Sequence, residues 1–437
     1  MRHPSLLLCF VVAGCVAAET QDLPDAQPDA QPDGGPDLTR PVTLTARVVD
    51  TLGRGKPGAI LVLHDGDGKV IGSARGDTHG TVQTTTKGFA AVTIAAKDGL
   101  QQWHLTTMWG NREGEEIVVR IPDPALHVSV DLTLPGLAGN WEYFTRVGGC
   151  LPDLASSNLA AAGAITRKLS FDQGCVDEDG RFGVTAIARQ GTTYRYLAKH
   201  SLPMGSGPSV AVDLSGEAWA EAPHRISVNV WNVPAPYDSV QATVLARRGA
   251  LLFPSFPANQ YRAPDDGRDA ELVVDHVPGL AEGYRVVASV STETTTWRHE
   301  LAVTNDEDAS AGAAVIFDGA SMVMRSPPRL TEAETARPIV DLDLAASPVP
   351  IDGVRIRTVQ GLLHWDLLVA PRDTVVVPEL PDSLAEARPA AGAPMTIEEV
   401  EVWSGGAFDD AADFRRQAGH APVPAAARFA VERYLAL

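Results

Sequence analysis

Several things are scarce in this 437-residue chain, and each scarcity removes a class of protein. Positive charge is short: 36 Lys and Arg stand against 55 Asp and Glu, a net charge of −19. A chain that acidic repels a phosphate backbone, which argues against nucleic-acid binding. Lys is confined to the first half, at Lys56, Lys69, Lys87, Lys97, Lys168 and Lys199. No apolar run reaches the roughly 20 residues of a membrane helix; near the N-terminus Leu6, Leu7, Leu8, Cys9, Phe10, Val11 and Val12 make less than half of one. Sustained helical periodicity is absent from the body of the chain. Cysteine numbers only four, and no Cys or His stands at the close spacing of a zinc site.

Catalytic motifs are missing too. There is no G-x-S-x-G; Ser206 in "MGSGPS" lacks a strand-to-helix setting. His299 and Glu300 form an "HE" with no second His four residues on, so the zinc-protease pattern fails. No Gly-rich phosphate loop precedes a helix. No catalytic residue is therefore assigned.

The N-terminus is informative. Arg2, the short apolar run and the small residues that follow have the form of a secretory signal. The run ends in "VAGC", Val12, Ala13, Gly14 and Cys15, which resembles the lipobox of bacterial lipoproteins. That resemblance implies removal of residues 1–14 and lipidation of Cys15; two or more acyl chains give stable anchoring. Val16, in place of the Asp that retains such proteins at the inner membrane, implies delivery to the outer membrane, on its periplasmic or surface side. The alternative is an ordinary secretory signal cut near "VAA". Residues 24–37, "PDAQPDAQPDGGPD", hold Pro every few residues and nothing able to nucleate a core. The stretch 15–40 reads as a lipidated, disordered linker reaching up to about 3 Å per residue.

With Cys9 in the signal and Cys15 lipidated, Cys150 and Cys175 are left as an even pair in an oxidising space, and a disulfide is expected. A loop of about 25 residues would contribute on the order of 3 kcal/mol. The alternative is two separate buried thiols.

From residue 41 the pattern becomes that of strands. "PVTLTARVVD" alternates Val42, Leu44, Ala46 and Val48 against polar residues. "AILVLH", "VIGSAR", "TVQTTT" and "AAVTI" follow, separated by turn signals. Gly53, Pro57, Gly58, Ala59, Asp77 and Gly80 punctuate them. "VVDTLGRGKPGAILV" and "RGDTHGTV" resemble the carboxypeptidase regulatory-like domain, an immunoglobulin-like β-sandwich of exported bacterial proteins. The resemblance covers about a fifth of the chain and implies a supporting or binding sandwich with no catalytic residues of its own.

The remainder repeats the theme. "PGLA" precedes an aromatic-bearing strand twice, and "VSVDL", "VAVDL" and "PIVDL" recur with Asp131, Asp213 and Asp341. The expected fold class is all-β, with serial immunoglobulin-like sandwiches at 41–135, 136–222, 223–330 and 331–437. Residues 408–419 and 424–437 are expected to form two short helices, the second opened by Pro424.

Three acidic clusters, Asp65 with Asp67, Asp177 with Asp179, and Asp306 with Asp308, are weak calcium candidates. Asp and Gly are equally the residues of tight turns, and that reading is preferred, with no cofactor expected. Eight Trp are present, and core packing accounts for most. Trp297 in "TETTTWRHE" is the candidate for stacking on a ligand. The leading functional reading is a lipid-anchored, non-catalytic protein that binds, adheres or scaffolds, with the membrane and an envelope protein or polysaccharide as partners. A dispersed-site envelope hydrolase and a carbohydrate-binding array are the alternatives.

Overall fold

A computed structural model describes residues 41–437 except 51–52, 111–115, 122–127, 148–154, 161–162, 172–180, 204–208, 222–223, 236, 238, 249–250, 255–259, 263–267, 277–282, 308–312, 318–322, 346–349, 391, 409–412 and 416–427. The fold is nearly all β.

The first sandwich holds β1 (Pro41–Asp50), β2 (Ile60–His64), β3 (Val70–Arg75), β4 (Thr81–Lys87), β5 (Ala91–Lys97), β6 (Trp103–Trp109) and β7 (Glu116–Ile121). Its two sheets run β4-β1-β7 and β3-β2-β5-β6, with β1 and β7 parallel. The second holds β8 (Val128–Leu134), β9 (Asn140–Val147), β10 (Ala155–Ala160), β11 (Ile165–Phe171), β12 (Arg181–Gln190), β13 (Thr193–Pro203), β14 (Ser209–Asp213) and β15 (Ala220–Glu221). Its sheets are β11-β8-β14 and β10-β9-β12-β13-β15, again with the first and seventh strands parallel. The third holds β16 (His224–Trp231), β17 (Val240–Arg248), β18 (Leu251–Pro254), β19 (Gln260–Arg262), β20 (Ala270–His276), β21 (Gly283–Glu293), β22 (Trp297–Glu307) and β23 (Ala313–Ile316). Its order, β20-β16-β23 over β18-β17-β21-β22, is the same once more. The strands that carry "VSVDL" and "VAVDL", β8 and β14, thus pair in parallel, Ala211 opposite Asp131.

The last stretch contributes β24 (Arg329–Thr331), β25 (Ile339–Asp341), β26 (Ile351–Gln360), β27 (Leu363–Val369), β28 (Thr374–Val376), a short 3-10 helix (Asp382–Ala387), β29 (Thr396–Ser404) and β30 (Arg428–Ala436). Its four-stranded sheet, β27-β26-β29-β30, repeats the larger sheet of the others. The smaller sheet differs: β24 lies antiparallel on β25, on the side opposite β28, where the other sandwiches place a parallel strand.

The four sandwiches succeed one another along the chain, yet three of them also share a sheet. β22 pairs antiparallel with β30, and β27 pairs parallel with β6. The larger sheets of the third, fourth and first sandwiches thereby join into one sheet of thirteen strands. An unpaired edge exposes a row of N–H and C=O groups, and pairing edge to edge satisfies them.

Joining changes burial. β2 and β5 read as continuous apolar runs, and the structure buries every residue of β2. Leu61, Leu63, Val92 and Ile94 face β4-β1-β7, where they meet Leu44, Ala46 and Val48. Ile60, Val62 and Ala95 face the other way, toward Val340 of β25 and Val375 of β28. A strand covered on both faces loses the polar alternation of a half-exposed one.

One expected helix is corrected. Residues 424–437 were expected to be helical; Arg428–Ala436 is instead β30, paired on both sides by β22 and β29. Ala, Leu and Glu favour a helix locally, but Val431 and Tyr434 enter separate cores on opposite faces of the sheet. That two-sided burial overrides the propensity. Of the other expected helix, residues 413–415 are helical, with Phe414 buried against Gly353.

Candidate functional site

The turns of the first sandwich explain its acidic residues. Asp65 Oδ1 accepts the N–H groups of Asp67 and Lys69, Asp77 Oδ1 those of His79 and Thr81, and Asp98 Oδ1 those of Leu100 and Gln102. Asp50 Oδ1 accepts from Arg54 N–H in the same way. The fourth residue of each loop, Gly68, Gly80, Gln101 or Gly53, has φ between 65° and 75°, as in a hairpin closed by a type I turn and a left-handed residue. At Gly80 a Cβ would lie 2.2 Å from the Val48 carbonyl oxygen, so only glycine fits. The "DGDG" carboxylate at Asp65 is thus engaged by its own backbone. Among the described residues no group of three or more His, Cys, Asp or Glu is placed to hold a metal.

The shared sheet carries a ladder of charge on one face. Val354 and Ile356 of β26 enter the core, so Arg355 and Arg357 point the opposite way. Arg355 pairs with Asp366 of β27 at 3.0 Å and Glu401 of β29 at 3.8 Å. Arg357 pairs with Asp366 at 3.3 Å and with Glu399. Arg433 of β30 pairs with Glu401 at 3.0 Å and Glu300 of β22 at 3.6 Å. Burial pushes the Asp366 carboxyl up, but Arg355 and Arg357 more than offset it and leave it below the ordinary range. Burial, and then the like charge of Glu401, hold the Glu399 carboxyl above that range. The ladder spans β27 to β22 and pairs each of these three arginines with two carboxylates, which fixes strand register.

Both seams of the shared sheet contain histidine. At β6–β27, His104 and His364 lie opposite each other in register and stack at 5.0 Å, and His104 Nε2 lies 3.0 Å from Asp98 Oδ2. Burial holds the His104 imidazole below its ordinary range. On the other face of this seam, His64, Thr93, Thr107 and Trp365 form a buried chain with links of 2.8, 2.7 and 2.8 Å, the Trp365 indole N–H donating to Thr107 Oγ1. At β22–β30, buried His299 contacts Glu432 Oε1 through Nε2 at 2.8 Å and Tyr237 OH through Nδ1 at 2.8 Å. Glu432 Oε2 accepts the backbone N–H groups of Val323 and Met324. Burial, with the Glu432 charge beside it, pushes the Tyr237 hydroxyl well above its ordinary range.

One open cleft, of about 450 Å³, lies where the first sandwich meets the 3-10 helix. Ile60 and Arg75, then Lys97 and Trp103, are cross-strand partners on β2–β3 and β5–β6. The two pairs lie in adjacent rows on one face of the sheet, since Ile60 is opposite Ala95. Asp382, Ser383 and Glu386 of the helix line the opposite wall. Lys97 Nζ sits 4.8 Å from the Trp103 ring centroid and 2.9 Å from Glu386 Oε2. Asp382 is held by Arg388 at 2.6 Å. Leu384 and Ala387 anchor the helix in the core below.

Against these geometries the sequence candidates fall as follows. Cys15, Cys150, Cys175, Asp177, Asp179 and Asp308 lie outside the described residues. Asp306 is on β22, its backbone paired with Arg285. Trp297 begins β22, half-buried and edge-on to Tyr434 at 6.4 Å. Trp109, Trp141, Trp365 and Trp403 are buried, and Trp231 is exposed. The cleft and the His299 network are additions. The turn "KDGLQQW" held a signal for the first, since an Asp loop of that length sets Lys97 opposite Trp103.

No protein-family model matches the chain, and no curated relative does. Three similar solved structures are the Bacillus anthracis TIE protein, a tetra-tandem repeat from the extending region of a large adhesion protein, and a streptococcal ancillary pilin. The first is 8% identical over 63% of this chain and 49% of its own, with a TM-score of 0.16. The chain therefore spans about half its length. The second is 10% identical over 84% and 95%, TM-score 0.13. The third is 9% identical over 63% and 98%, TM-score 0.15. At such TM-scores the chains do not superpose, and the likeness carries no functional weight. No helix among the described residues is long and apolar enough to cross a membrane.

Proposed function

We propose that this chain is an exported bacterial lipoprotein, anchored to the outer membrane through Cys15, whose β-sandwiches bind or scaffold an envelope partner without catalysis. The observation that carries the scaffolding part is the joined sheet: three sandwiches share thirteen strands, with the largely buried charges of one sheet face locked in pairs. Such a platform presents a fixed surface. The lipobox-like "VAGC" and the Pro-Asp linker support the anchor and its spacing from the membrane. The division into 41–135, 136–222, 223–330 and 331–437 and a Cys150–Cys175 disulfide belong to the same proposal.

The test is Cys15→Ala in the full chain, expressed in a bacterium with lipoprotein processing and partitioned in Triton X-114. The unaltered protein is expected in the detergent phase and the variant in the aqueous phase. A variant that stays with the detergent would overturn the anchor. Alkylation and mass measurement, with and without reductant, test the disulfide; two free thiols in the native protein would remove it.

A further inference from the structure

We infer that the cleft between Trp103 and the 3-10 helix Asp382–Ala387 binds a short pyranose oligosaccharide. The inference rests on the binding role proposed above and names its ligand class.

The cleft's size falls within the roughly 300–1,000 Å³ of small-molecule sites. Its chemistry is that of a polyol with one apolar face. A pyranose presents hydroxyls that both donate and accept, and a face of C–H groups that packs on an aromatic ring. Trp103 supplies the ring, half-buried and fixed by its place in the sheet; the flexible Lys97 side chain, whose ammonium lies 4.8 Å from the ring centroid, must swing off that ring for a sugar to stack there. Donors come from Arg75 and Lys97, acceptors from Asp382 and Glu386, and Ser383 serves as either.

The charges bear on specificity. Lys97 and Glu386 pair with each other, and Asp382 pairs with Arg388, so these groups are oriented and locally neutral. Arg75 makes no ion pair or hydrogen bond among the described residues and is exposed. Its planar fork is free to take two neighbouring hydroxyls or one carboxylate. The walls come from different places. Ile60, Arg75, Lys97 and Trp103 belong to the first sandwich, whereas Asp382, Ser383 and Glu386 come from the stretch after β28. The cleft therefore exists only when those two parts of the chain are together. The β6–β27 pairing holds them so, with Trp103 N–H donating to the Leu362 carbonyl beside it.

The experiment uses the full chain in detergent on an array of neutral oligosaccharides (glucose, mannose and N-acetylglucosamine series) and uronic-acid oligosaccharides. Calorimetry on the best binder follows, with Trp103→Ala, Arg75→Ala and Glu386→Gln. Binding of at least one series is expected, weakened tenfold or more by Trp103→Ala. Arg75→Ala, an exposed site that leaves packing intact, should weaken a uronic-acid ligand more than a neutral one. If no glycan binds, the inference falls and the anchor is untouched. If a glycan binds with affinity unchanged in Trp103→Ala and Arg75→Ala, the site lies elsewhere and the inference falls while a binding role stands. Circular dichroism of each variant separates loss of fold from loss of contact; with Trp103→Ala misfolded, Arg75→Ala alone decides.

Discussion

Removing the Glu432 carboxylate should open the seam between β22 and β30. Glu432 is 1% exposed and accepts three hydrogen bonds, from His299 Nε2 at 2.8 Å, Val323 N at 2.5 Å and Met324 N at 3.1 Å. Alanine would leave two backbone N–H groups and an imidazole N–H buried without an acceptor. Hydrogen bonds to a charged group are worth roughly 1.5–3 kcal/mol each, but three that share one side chain do not add. Breaking a buried charged partnership costs roughly 3–5 kcal/mol, which sets the scale at about 4. Glu432→Gln keeps one acceptor oxygen and the side-chain volume, so about half that loss is expected by the same reasoning. Urea unfolding followed by Trp fluorescence and by circular dichroism measures both. The loss should appear as a lower midpoint, with the slope retained if the seam unfolds with the rest. A Glu432→Ala protein within about 0.5 kcal/mol of the parent would refute the reasoning, since that is the range of an ordinary surface substitution.

Acid should weaken the first sandwich through His64. Burial lowers its imidazole from 6.5 to about 4, so the unfolded chain binds a proton there that the folded one does not. Its contribution is complete above pH 6.5 and is lost as pH falls toward 4, about 3 kcal/mol over the window. His64→Gln should flatten the fall in midpoint between those values, and an unchanged pH profile would count against the assignment. Gln101→Gly should raise stability by roughly 0.5–1 kcal/mol, because a left-handed non-glycine costs about 1–2 and added chain entropy returns part of it; Gln101 has φ 65° where the three sister loops have Gly53, Gly68 and Gly80. A lower midpoint would contradict that reading of the loop. Gly353→Ala should destabilise by about 1–3 kcal/mol through overpacking, as its Cβ would come within 2.4 Å of the Phe414 ring; a neutral result would mean that the ring is not seated there.

What could be read from the chain alone was local. The strands of the first sandwich and the Asp loops were visible, because alternation and turn chemistry act over a few residues. The continuous burial of Ile60–His64 gave a run without a face, and only the layers on both sides explain it. The joined sheet was hidden because its seams link Trp103 to Leu363 and Asn305 to Arg428, far apart in sequence and with no motif to announce them. β30 was misread for the same reason: Pro424 and the alanines after it speak for a helix start, and the two strands that neighbour β30 decide otherwise. Half of the cleft was legible, in the Lys97–Trp103 hairpin. The other half comes from Asp382 to Glu386, which nothing local connects to it.

The joined sheet is the central claim, and hydrogen exchange read by mass spectrometry tests it most directly. Amides of β6, β22, β27 and β30 are predicted to exchange as slowly as those of β5 and β26, which have hydrogen-bonded partners on both sides. Sandwiches joined only by linkers would leave β6, β22, β27 and β30 as edges, with half their N–H groups open to water. Exchange in those four strands at the rate of the free edge β3 would contradict the account.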